Sequence, residues 1–412
     1  MDAVSLLLIA SLVFGFSLVA KRLEPGLITP PIIFVGAGML LAWSPWFDGI
    51  STPLVESLLE VTLALVLFSD AARVDLQVVR ERLHIPVRLL LIGLPLTIGL
   101  GLLIGRPLLG SWGAAALCAV MLAPTDAALG EAVVSDKRVP IFVRQSLSVE
   151  SGLNDGLAVP ALTAAIAFAI SMETGAVGAA SALGSIIVGV TVGIVAGWLG
   201  ASALVGSTRR GWSDTMGTRI GTLGLALATF AAAEAVGASG FVAVFVAGTV
   251  LGSRVRELCS TLFAFTDNEG RLFTLLSFLA FGAVAVPVAL GNLTWPIVGY
   301  AVLSLTVIRA VPVAIALIGS KLRPITVAMI AWFGPRGIAS VVFVLLATEA
   351  LKEEAALSQL TLTVVSFTVL LSVILHGVSA APLAGAYAAA LADATPDMPE
   401  LTEMSEIDER PE

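Results

Sequence analysis

Residues 150–155 read Glu150-Ser151-Gly152-Leu153-Asn154-Asp155, and they lie within a long apolar segment of the chain. This stretch places two carboxylates, a hydroxyl and an amide in one predicted membrane helix, and another intramembrane carboxylate, Asp126, precedes it. A charge at the centre of a bilayer costs at least ~2.5–3.5 kcal/mol on insertion scales, so such residues usually face a partner, a cavity or a transported ion. Two aspartates at similar depth therefore predict a site that holds either a proton or a small cation.

The composition around this stretch is that of a membrane protein. The chain has 412 residues, of which 58% are hydrophobic and 13% are charged, whereas soluble domains average about 25% charged residues. Apolar runs of the ~20 residues that cross a hydrocarbon core recur from end to end, unlike the short alternating segments of a transmembrane β-barrel. We therefore predict an all-α polytopic membrane protein with the lipid bilayer as its surroundings and no nucleic-acid partner.

We predict thirteen transmembrane helices, over residues 2–20, 28–43, 53–70, 85–104, 111–134, 147–170, 180–204, 218–236, 240–253, 271–289, 295–319, 325–349 and 359–381. Most of the 22 basic residues fall in or beside alternate loops, and the opposite loops hold only Arg106 and Lys352. The positive-inside rule then places the N-terminus outside and the C-terminus in the cytoplasm. These observations predict a transmembrane domain over residues 1–385 and a short, acidic, disordered cytoplasmic tail over residues 386–412.

The odd number of helices has a topological consequence. The first six and the last six helices start on opposite sides, which predicts two inverted six-helix repeats, a usual architecture of secondary transporters. Helix 5 contains Ala123-Pro124-Thr125-Asp126, and helix 12 contains Gly334-Pro335-Arg336-Gly337. Proline removes a helical donor and clashes with the preceding turn. We therefore predict that helices 5 and 12 are broken and that their freed carbonyls lie near a cation site at the midplane.

The spacing within helix 6 places polar residues on shared faces. Glu150 and Asn154 are four residues apart, as are Ser151 and Asp155, so each pair lies on one face. Asp155 and Asp126 come from adjacent helices and are expected to converge. Two carboxylates in a poorly solvated site do not both ionise readily, so sodium and a proton would compete for the same charge. The alternative is that these carboxylates are structural polar groups that join helices.

Further oxygen atoms are expected at this site. Thr125 and Ser151 offer neutral oxygens suited to a hard monovalent ion, and Asn154 adds an amide beside Asp155. Glu60 of helix 3 is followed by an apolar run and is expected to face the same cavity, with an interfacial position as the alternative. We therefore predict a sodium site formed by Asp155, Asp126, Ser151 and Thr125.

An arginine inside the membrane needs a counter-charge. Arg336 lies beside the break in helix 12, and Glu150 is more than a turn from Asp155, so we predict a structural ion pair between Glu150 and Arg336. Arg309 of helix 11 joins this pair or satisfies freed carbonyls of a broken helix. The chain has 2 histidines, and neither lies in a cluster, so a transition-metal site is not expected. No cofactor is expected besides the transported ions.

Several motifs together resemble those of the monovalent cation:proton antiporters, in particular the NhaP-like sodium/proton exchangers. They are Leu67-Phe68-Ser69-Asp70, Pro124-Thr125-Asp126, Glu150-Ser151 with Asn154-Asp155-Gly156, Phe278-Leu279-Ala280-Phe281-Gly282-Ala283 and Gly334-Pro335-Arg336-Gly337. The resemblance covers the membrane region of the chain. It implies that Asp155 binds the ion and the proton, that Asp126, Ser151 and a helix 3 glutamate contribute to the site, and that Glu150 pairs with Arg336. It also implies a homodimer in which a core domain moves against a dimerisation domain.

The resemblance also bears on stoichiometry, because Asn154 stands where the electrogenic branch has a second aspartate. We therefore expect electroneutral exchange of sodium, or lithium, for protons by alternating access, with Asp155 and Asp126 as the shared site. The protein is expected to be a transporter and not an enzyme, to lie in the cell (inner or plasma) membrane and to serve pH homeostasis. The alternatives are a potassium/proton antiporter, a cation channel that uses the same aspartates, and an intramembrane aspartyl protease.

Overall fold

The computed structural model describes residues 3–23, 28–45, 52–73, 84–174, 179–391, 398 and 400. Every regular element in these ranges is helical, which confirms the all-α class. The helices are α1 (Ala3–Leu23), α2 (Pro30–Ala42), α3 (Thr52–Arg73), α4 (His84–Leu109), α5 (Trp112–Met121), α6 (Ala127–Val134), α7 (Ile141–Thr174), α8 (Ala179–Arg209), α9 (Thr215–Ala235), α10 (Gly240–Arg254), α11 (Arg256–Gly291), α12 (Trp295–Leu305), α13 (Val307–Ala316), α14 (Pro324–Trp332), α15 (Ile338–Ala350) and α16 (Ala355–Ala390).

The helices have the lengths and apolar composition that a multi-pass membrane protein requires. In the described chain, 8 helical segments are long and apolar enough to cross a bilayer, among them α1, α4, α7, α8, α9 and α16. Shorter apolar helices, α2, α5, α10 and α15, accompany them. Each predicted span coincides with one helix or with a pair of helices, whereas the exact number of thirteen crossings stays a prediction.

Two predicted spans are broken in their middle. The chain leaves helical geometry between Met121 at the end of α5 and Ala127 at the start of α6, and again between Trp332 of α14 and Ile338 of α15. Each interruption contains a proline, which has no N–H to donate to the preceding turn. Helices 5 and 12 are therefore broken as the sequence predicts.

A third interruption was not predicted. The span expected over residues 295–319 divides into α12 and α13 at Thr306, whose backbone angles are φ −115° and ψ −89°. The break lies three residues before Arg309, which belongs to α13. This deviation matters for the ion pair described below.

Small residues bring α3 close to two of its neighbours. A Cβ atom at Gly248 or Gly252 of α10 would overlap the backbone of Phe68 or Ala72 in α3. At Gly152 of α7, a Cβ atom would lie 3.2 Å from the Cβ atom of Asp70 in the last turn of α3. These approaches place the C-terminal turn of α3 directly against the middle of α7, where the polar stretch lies.

The C-terminal helix runs further than predicted, and the residues after it make one notable contact. α16 continues to Ala390, and the carboxylate of Glu400 accepts hydrogen bonds from the backbone N–H of Arg323 (2.7 Å) and the hydroxyl of Thr326 (2.9 Å). Glu400 is buried at this position, beside the N-terminus of α14. Most of the predicted tail (residues 392–397, 399 and 401–412) lies outside the described residues, so its predicted disorder stays a prediction.

Candidate ion-exchange site

Asp126 lies where the two interrupted helices cross. Its backbone N–H donates to the carbonyl oxygen of Pro335 (2.8 Å), which ties the first interruption to the second. One carboxylate oxygen accepts from the backbone N–H of Ile338 (2.8 Å), the first residue of α15, and the other accepts from the N–H of Leu129 (3.4 Å) in α6. The Asp126 carboxylate therefore caps the N-termini of two half-helices, whose unpaired N–H groups and dipoles favour negative charge.

Two glycines leave the space that this crossing requires. A Cβ atom at Gly337 would overlap the carboxylate of Asp126, and one at Gly334 would overlap the guanidinium of Arg309. Neither glycine has a positive φ among the described residues, so the need for glycine arises from the lack of space around it. The Gly-Pro-Arg-Gly sequence therefore supplies both the interruption and the room for the side chains that fill it.

Arg336 donates hydrogen bonds to carbonyl groups near the C-terminal ends of the helices that precede the two interruptions. Its Nη1 atom donates to the carbonyl oxygens of Pro124 (3.2 Å) and Gly334 (3.0 Å), which follow the C-terminal ends of α5 and α14. Its backbone N–H donates to the hydroxyl oxygen of Ser372 in α16 (2.7 Å). Because the arginine is fully buried, its positive charge acts at short range on carbonyl groups that the breaks leave without helical partners.

The partner of Glu150 differs from the prediction. Glu150 forms a bidentate ion pair with Arg309, whose Nη1 and Nη2 atoms lie 2.6 and 2.9 Å from the two carboxylate oxygens. The predicted pair of Glu150 with Arg336 is therefore corrected to a pair with Arg309. The physical reason is that carbonyl groups of the two breaks already engage Arg336, while the guanidinium of Arg309 lies against Glu150 of α7.

The polar residues of α7 contact the break between α5 and α6. The hydroxyl of Ser151 donates to the carbonyl oxygen of Thr125 (2.5 Å), and the amide of Asn154 donates to the hydroxyl oxygen of Thr125 (2.7 Å). All three side chains are buried. The structure thus brings Thr125, Ser151 and Asn154 together with Asp126, as the sequence predicts.

Two buried oxygen atoms at this site make no hydrogen bond with the described residues. They are Oδ1 of Asn154 and Oδ1 of Asp155, and Asp155 is only 7% exposed. A buried acceptor without a donor costs about 1–3 kcal/mol, so such atoms usually mark an unexplained ligand or a functional role. Carboxylate, amide and hydroxyl oxygens are ligands that suit hard cations.

Asp155 lies within the electrostatic reach of two other carboxylates. The charges of Asp126 and Asp70 both act on it. Asp70 lies in the last turn of α3 and is half-buried against Gly152 of α7. Asp70 is absent from the site residues predicted from the sequence, although its position in the Leu67-Phe68-Ser69-Asp70 motif was a signal that could have identified it.

The structure does not bring Glu60 to this cluster. Glu60 precedes Asp70 by ten residues of the same helix, a separation of about 15 Å at 1.5 Å per residue. The carboxylates that act on Glu60 are Glu234, Glu56 and Glu349, which lie away from the interruptions. A role of Glu60 at the site therefore stays a prediction, whereas Asp70 is the carboxylate of α3 whose charge acts on Asp155.

A small cavity borders the crossing. Its volume is about 10 Å³, and its walls are formed by Thr125, Asp126, Gly130, Val134, Leu147, Ser151, Phe333 and Pro335. A cavity of this size holds roughly one water molecule. Its lining combines oxygen-bearing side chains, those of Thr125, Asp126 and Ser151, with the apolar side chains of Val134, Leu147 and Phe333.

Comparison with known proteins gives one family over almost the whole chain. Residues 7–386 match the profile of a family described as sodium/hydrogen exchanger, transmembrane. An uncharacterised Na(+)/H(+) exchanger of Escherichia coli K12, YjcE, is 30% identical over 262 residues, which make up 60% of this chain and 45% of that protein. The Na(+)/H(+) antiporter NhaS2 of Synechocystis is 28% identical over 302 residues, 69% of this chain and 52% of that protein. The chain thus spans about half the length of the curated relatives that it matches.

Solved structures show the same fold. The sodium proton antiporter MjNhaP1 of Methanocaldococcus jannaschii at pH 8 superimposes with a TM-score of 0.70 at 21% identity, over 92% of this chain and 97% of that one. An electron-microscopy structure of the same antiporter gives a TM-score of 0.72 at 19% identity, over 96% and 99% of the two chains. At these identities the similarity establishes the fold.

Proposed function

Because the chain belongs to the sodium/hydrogen exchanger family, we propose that it exchanges sodium for protons across the membrane through Asp155 and Asp126. The observation that carries this proposal is the buried group of oxygen atoms at the crossing of two interrupted helices. Family and fold are those of transporters, and interrupted helices near the midplane are where secondary transporters bind their ions. A cation channel or an intramembrane protease is not favoured by any of the comparisons.

Competition for negative charge provides the coupling. When Asp155 and Asp126 are both ionised in a poorly solvated site, they repel each other, and either a proton or a cation relieves that repulsion. Asp126 is held by backbone N–H groups of α6 and α15, whereas Oδ1 of Asp155 makes no hydrogen bond to the described residues. We therefore assign Asp155 as the group that alternates between proton and sodium, and Asp126 as a fixed charge beside it.

The neutral ligands complete the proposed sodium site. Thr125 and Ser151 are joined by a hydrogen bond that fixes the backbone of the first interruption, and Oδ1 of Asn154 is oriented by the bond of its amide to Thr125. We propose that Asp70 adds negative charge on the side of α3, which attracts cations toward Asp155. Because residue 154 is an amide and not a second carboxylate, we propose one sodium exchanged for one proton.

The proposed transport cycle is alternating access in the cell membrane, with the N-terminus outside and a homodimer as the functional unit. The cavity at the crossing extends from Asp126 toward Val134 and Leu147. The loop beside these residues carries Lys137 and Arg138, and the positive-inside rule places such loops in the cytoplasm. On this orientation, the cavity lies on the cytoplasmic side of Asp126, which supports an inward-facing state.

The proposal is tested by sodium-induced proton efflux from acidified everted vesicles. We expect a response in the unmodified protein that Asp155→Asn and Asp126→Asn abolish, since the first removes the charge that titrates and the second removes the fixed charge beside it, each with little change in size. Asp136→Asn is the matched control, because Asp136 lies in the loop after α6. Hydrogen bonds from Arg138 hold the pKa of Asp136 below its usual range, so it remains ionised throughout the assay and its replacement should leave exchange intact.

The same assay identifies the cation. Added lithium and potassium salts rank the ions, and a response to potassium alone would assign a potassium/proton antiporter. Sodium flux without any coupled proton movement would indicate a channel. Full activity in Asp155→Asn would remove Asp155 from the mechanism and refute the proposed site.

A further inference from the structure

A buried chain of hydrogen bonds joins the two ends of the interruption between α14 and α15. His376 of α16 lies with Nε2 2.9 Å from the carbonyl oxygen of Trp332, the last residue of α14. Its Nδ1 atom lies 3.1 Å from the hydroxyl oxygen of Ser372, one turn earlier in α16. That hydroxyl oxygen accepts a 2.7 Å hydrogen bond from the backbone N–H of Arg336. His376 is 1% exposed and Ser372 is 0% exposed, so bulk water does not reach the bonds between them.

The partners of the ring fix its tautomer. The Trp332 carbonyl can only accept, so Nε2 must carry a hydrogen to bond with it. In a neutral imidazole the other nitrogen is then an acceptor, and the hydroxyl of Ser372 is the donor within reach. In its contact with Arg336 the oxygen of Ser372 acts as the acceptor. The hydroxyl hydrogen of Ser372 therefore remains available for the imidazole. The bonds therefore run in one direction, from the N–H of Arg336 through Ser372 and His376 to the Trp332 carbonyl.

The charged groups that act on the ring are both cations. Arg336 lies in the interruption itself, and Arg309 of α13 lies beside it, with its charge shared with Glu150 of α7. A protonated ring would add a third positive charge here. Its Nδ1–H group would also turn toward the backbone carbonyl of Ser372, 3.0 Å away, and leave the hydroxyl of that serine without an acceptor. Geometry and charge thus favour the same neutral form.

This interruption also sets the position of Asp126. The residues between the two ends supply the Pro335 carbonyl that accepts from the backbone of Asp126, and the N–H of Ile338 donates to its carboxylate. Any change in the separation of Trp332 and Arg336 would therefore move the groups that hold Asp126. His376 itself contacts neither the aspartates nor the cavity described above.

We propose that His376 is a positioning residue of the exchange site, which as the neutral Nε2–H tautomer holds both ends of the second interruption and thereby the groups that fix Asp126. The inference rests on the proposed function, because it concerns the rate of exchange at that site. It predicts that the hydrogen bonds from Arg336 through Ser372 and His376 to Trp332, here called the relay, act as one unit. Breaking it at either His376 or Ser372 should have the same consequence.

The tautomer is measured independently of transport. The chain has 2 histidines, so a His84→Gln variant labelled with ¹⁵N-histidine gives ring signals from His376 alone. At neutral pH we expect an acceptor-type (pyridine-like) Nδ1 and a protonated (pyrrole-like) Nε2. Ser372→Ala in the same background should shift the Nδ1 signal, because it removes the donor. A protonated Nδ1 or an imidazolium at neutral pH would overturn the proposal, whether or not the protein exchanges sodium for protons.

The functional consequence is tested by measuring the maximal exchange rate and the apparent Km for sodium separately, because the proposal predicts a change in the first and not in the second. His376→Leu and Ser372→Ala should each lower the maximal rate about tenfold, in the range expected for loss of a buried hydrogen bond. The apparent Km for sodium should stay within about twofold, because neither residue touches the ion. The double variant should be no slower than either single variant, since both remove the same relay. His376→Gln, which retains a donor near the position of Nε2, should recover part of the rate.

Ser379→Ala is the matched control. The hydroxyl of Ser379 accepts from the indole N–H of Trp332 (2.9 Å) and donates to the backbone carbonyl of His376 (3.5 Å), so the control removes these two bonds and leaves both contacts of the His376 ring in place. We expect it to retain the rate of the unmodified protein. Additive losses in the double variant, or a change confined to the Km for sodium, would refute the positioning role. Absence of exchange in the unmodified protein would instead refute the proposed function and leave the spectroscopic test valid.

Discussion

The ion pair of Glu150 with Arg309 leads to a prediction about stability. The two side chains are 3% and 4% exposed, and their closest oxygen and nitrogen atoms lie 2.6 Å apart. Removing one partner of a buried pair costs about 3–5 kcal/mol, because the remaining charge stays in a poorly solvated position. Glu150→Leu and Arg309→Met should therefore each lower stability by about this amount. Replacing both by apolar residues of similar size should restore most of the loss, since no charge is then left behind.

The measurement is the unfolding midpoint of the purified protein in detergent for the two single variants and the double variant. The pair of Arg271 with Glu131 provides a matched control, because its bond length is similar (2.8 Å) but its side chains are 54% and 39% exposed. Glu131→Ala should cost less than about 1 kcal/mol. The reasoning would be refuted if Glu150→Leu were rescued by Arg336→Met and not by Arg309→Met.

Three further predictions follow from single contacts. Asp70→Asn should raise the apparent Km for sodium several-fold in the vesicle assay, because it removes negative charge near the site, and the maximal rate should be largely retained. An unchanged Km would exclude a role for this residue. Gly337→Ala should abolish exchange, since the added methyl group overlaps the carboxylate of Asp126. Gly299 faces open space, so Gly299→Ala is the control and should leave the exchange rate unchanged. Glu400→Ala should lower the unfolding midpoint by the equivalent of about 1–3 kcal/mol, because it removes an acceptor from two donors at the start of α14; an unchanged midpoint would contradict that contact.

Much of the site could be predicted from the sequence because its chemistry is local. The interruptions at Pro124 and Pro335 agree with the loss of a helical N–H at proline, although Pro160 and Pro287 lie inside helices that continue past them. The shared faces of Ser151 and Asp155 follow from helical spacing alone. Intramembrane carboxylates are also costly enough to signal function without any knowledge of their neighbours.

The choice between equivalent partners could not be predicted, because it depends on how helices cross. Arg309 and Arg336 are both intramembrane cations, and the sequence pattern does not show which of them packs against Glu150. The choice between Glu60 and Asp70 likewise depends on where α3 meets α7, a contact set by the absence of a side chain at Gly152. Such positions are determined by tertiary packing and not by local sequence pattern.

The paired interruptions also determine the net charge of the crossing. Each helix terminus carries roughly half an elementary charge, positive at the N-terminus and negative at the C-terminus. Asp126 faces the N-termini of α6 and α15, which together offset about one negative charge, and Arg336 faces the C-terminal ends of α5 and α14, which offset about one positive charge. The helix ends thus offset part of the charge of each of these two side chains, while the charge of Asp126 still acts on Asp155. Asp155 lies within α7 and not at a helix end, so in the proposed mechanism its carboxylate is the charge that one sodium ion or one proton balances.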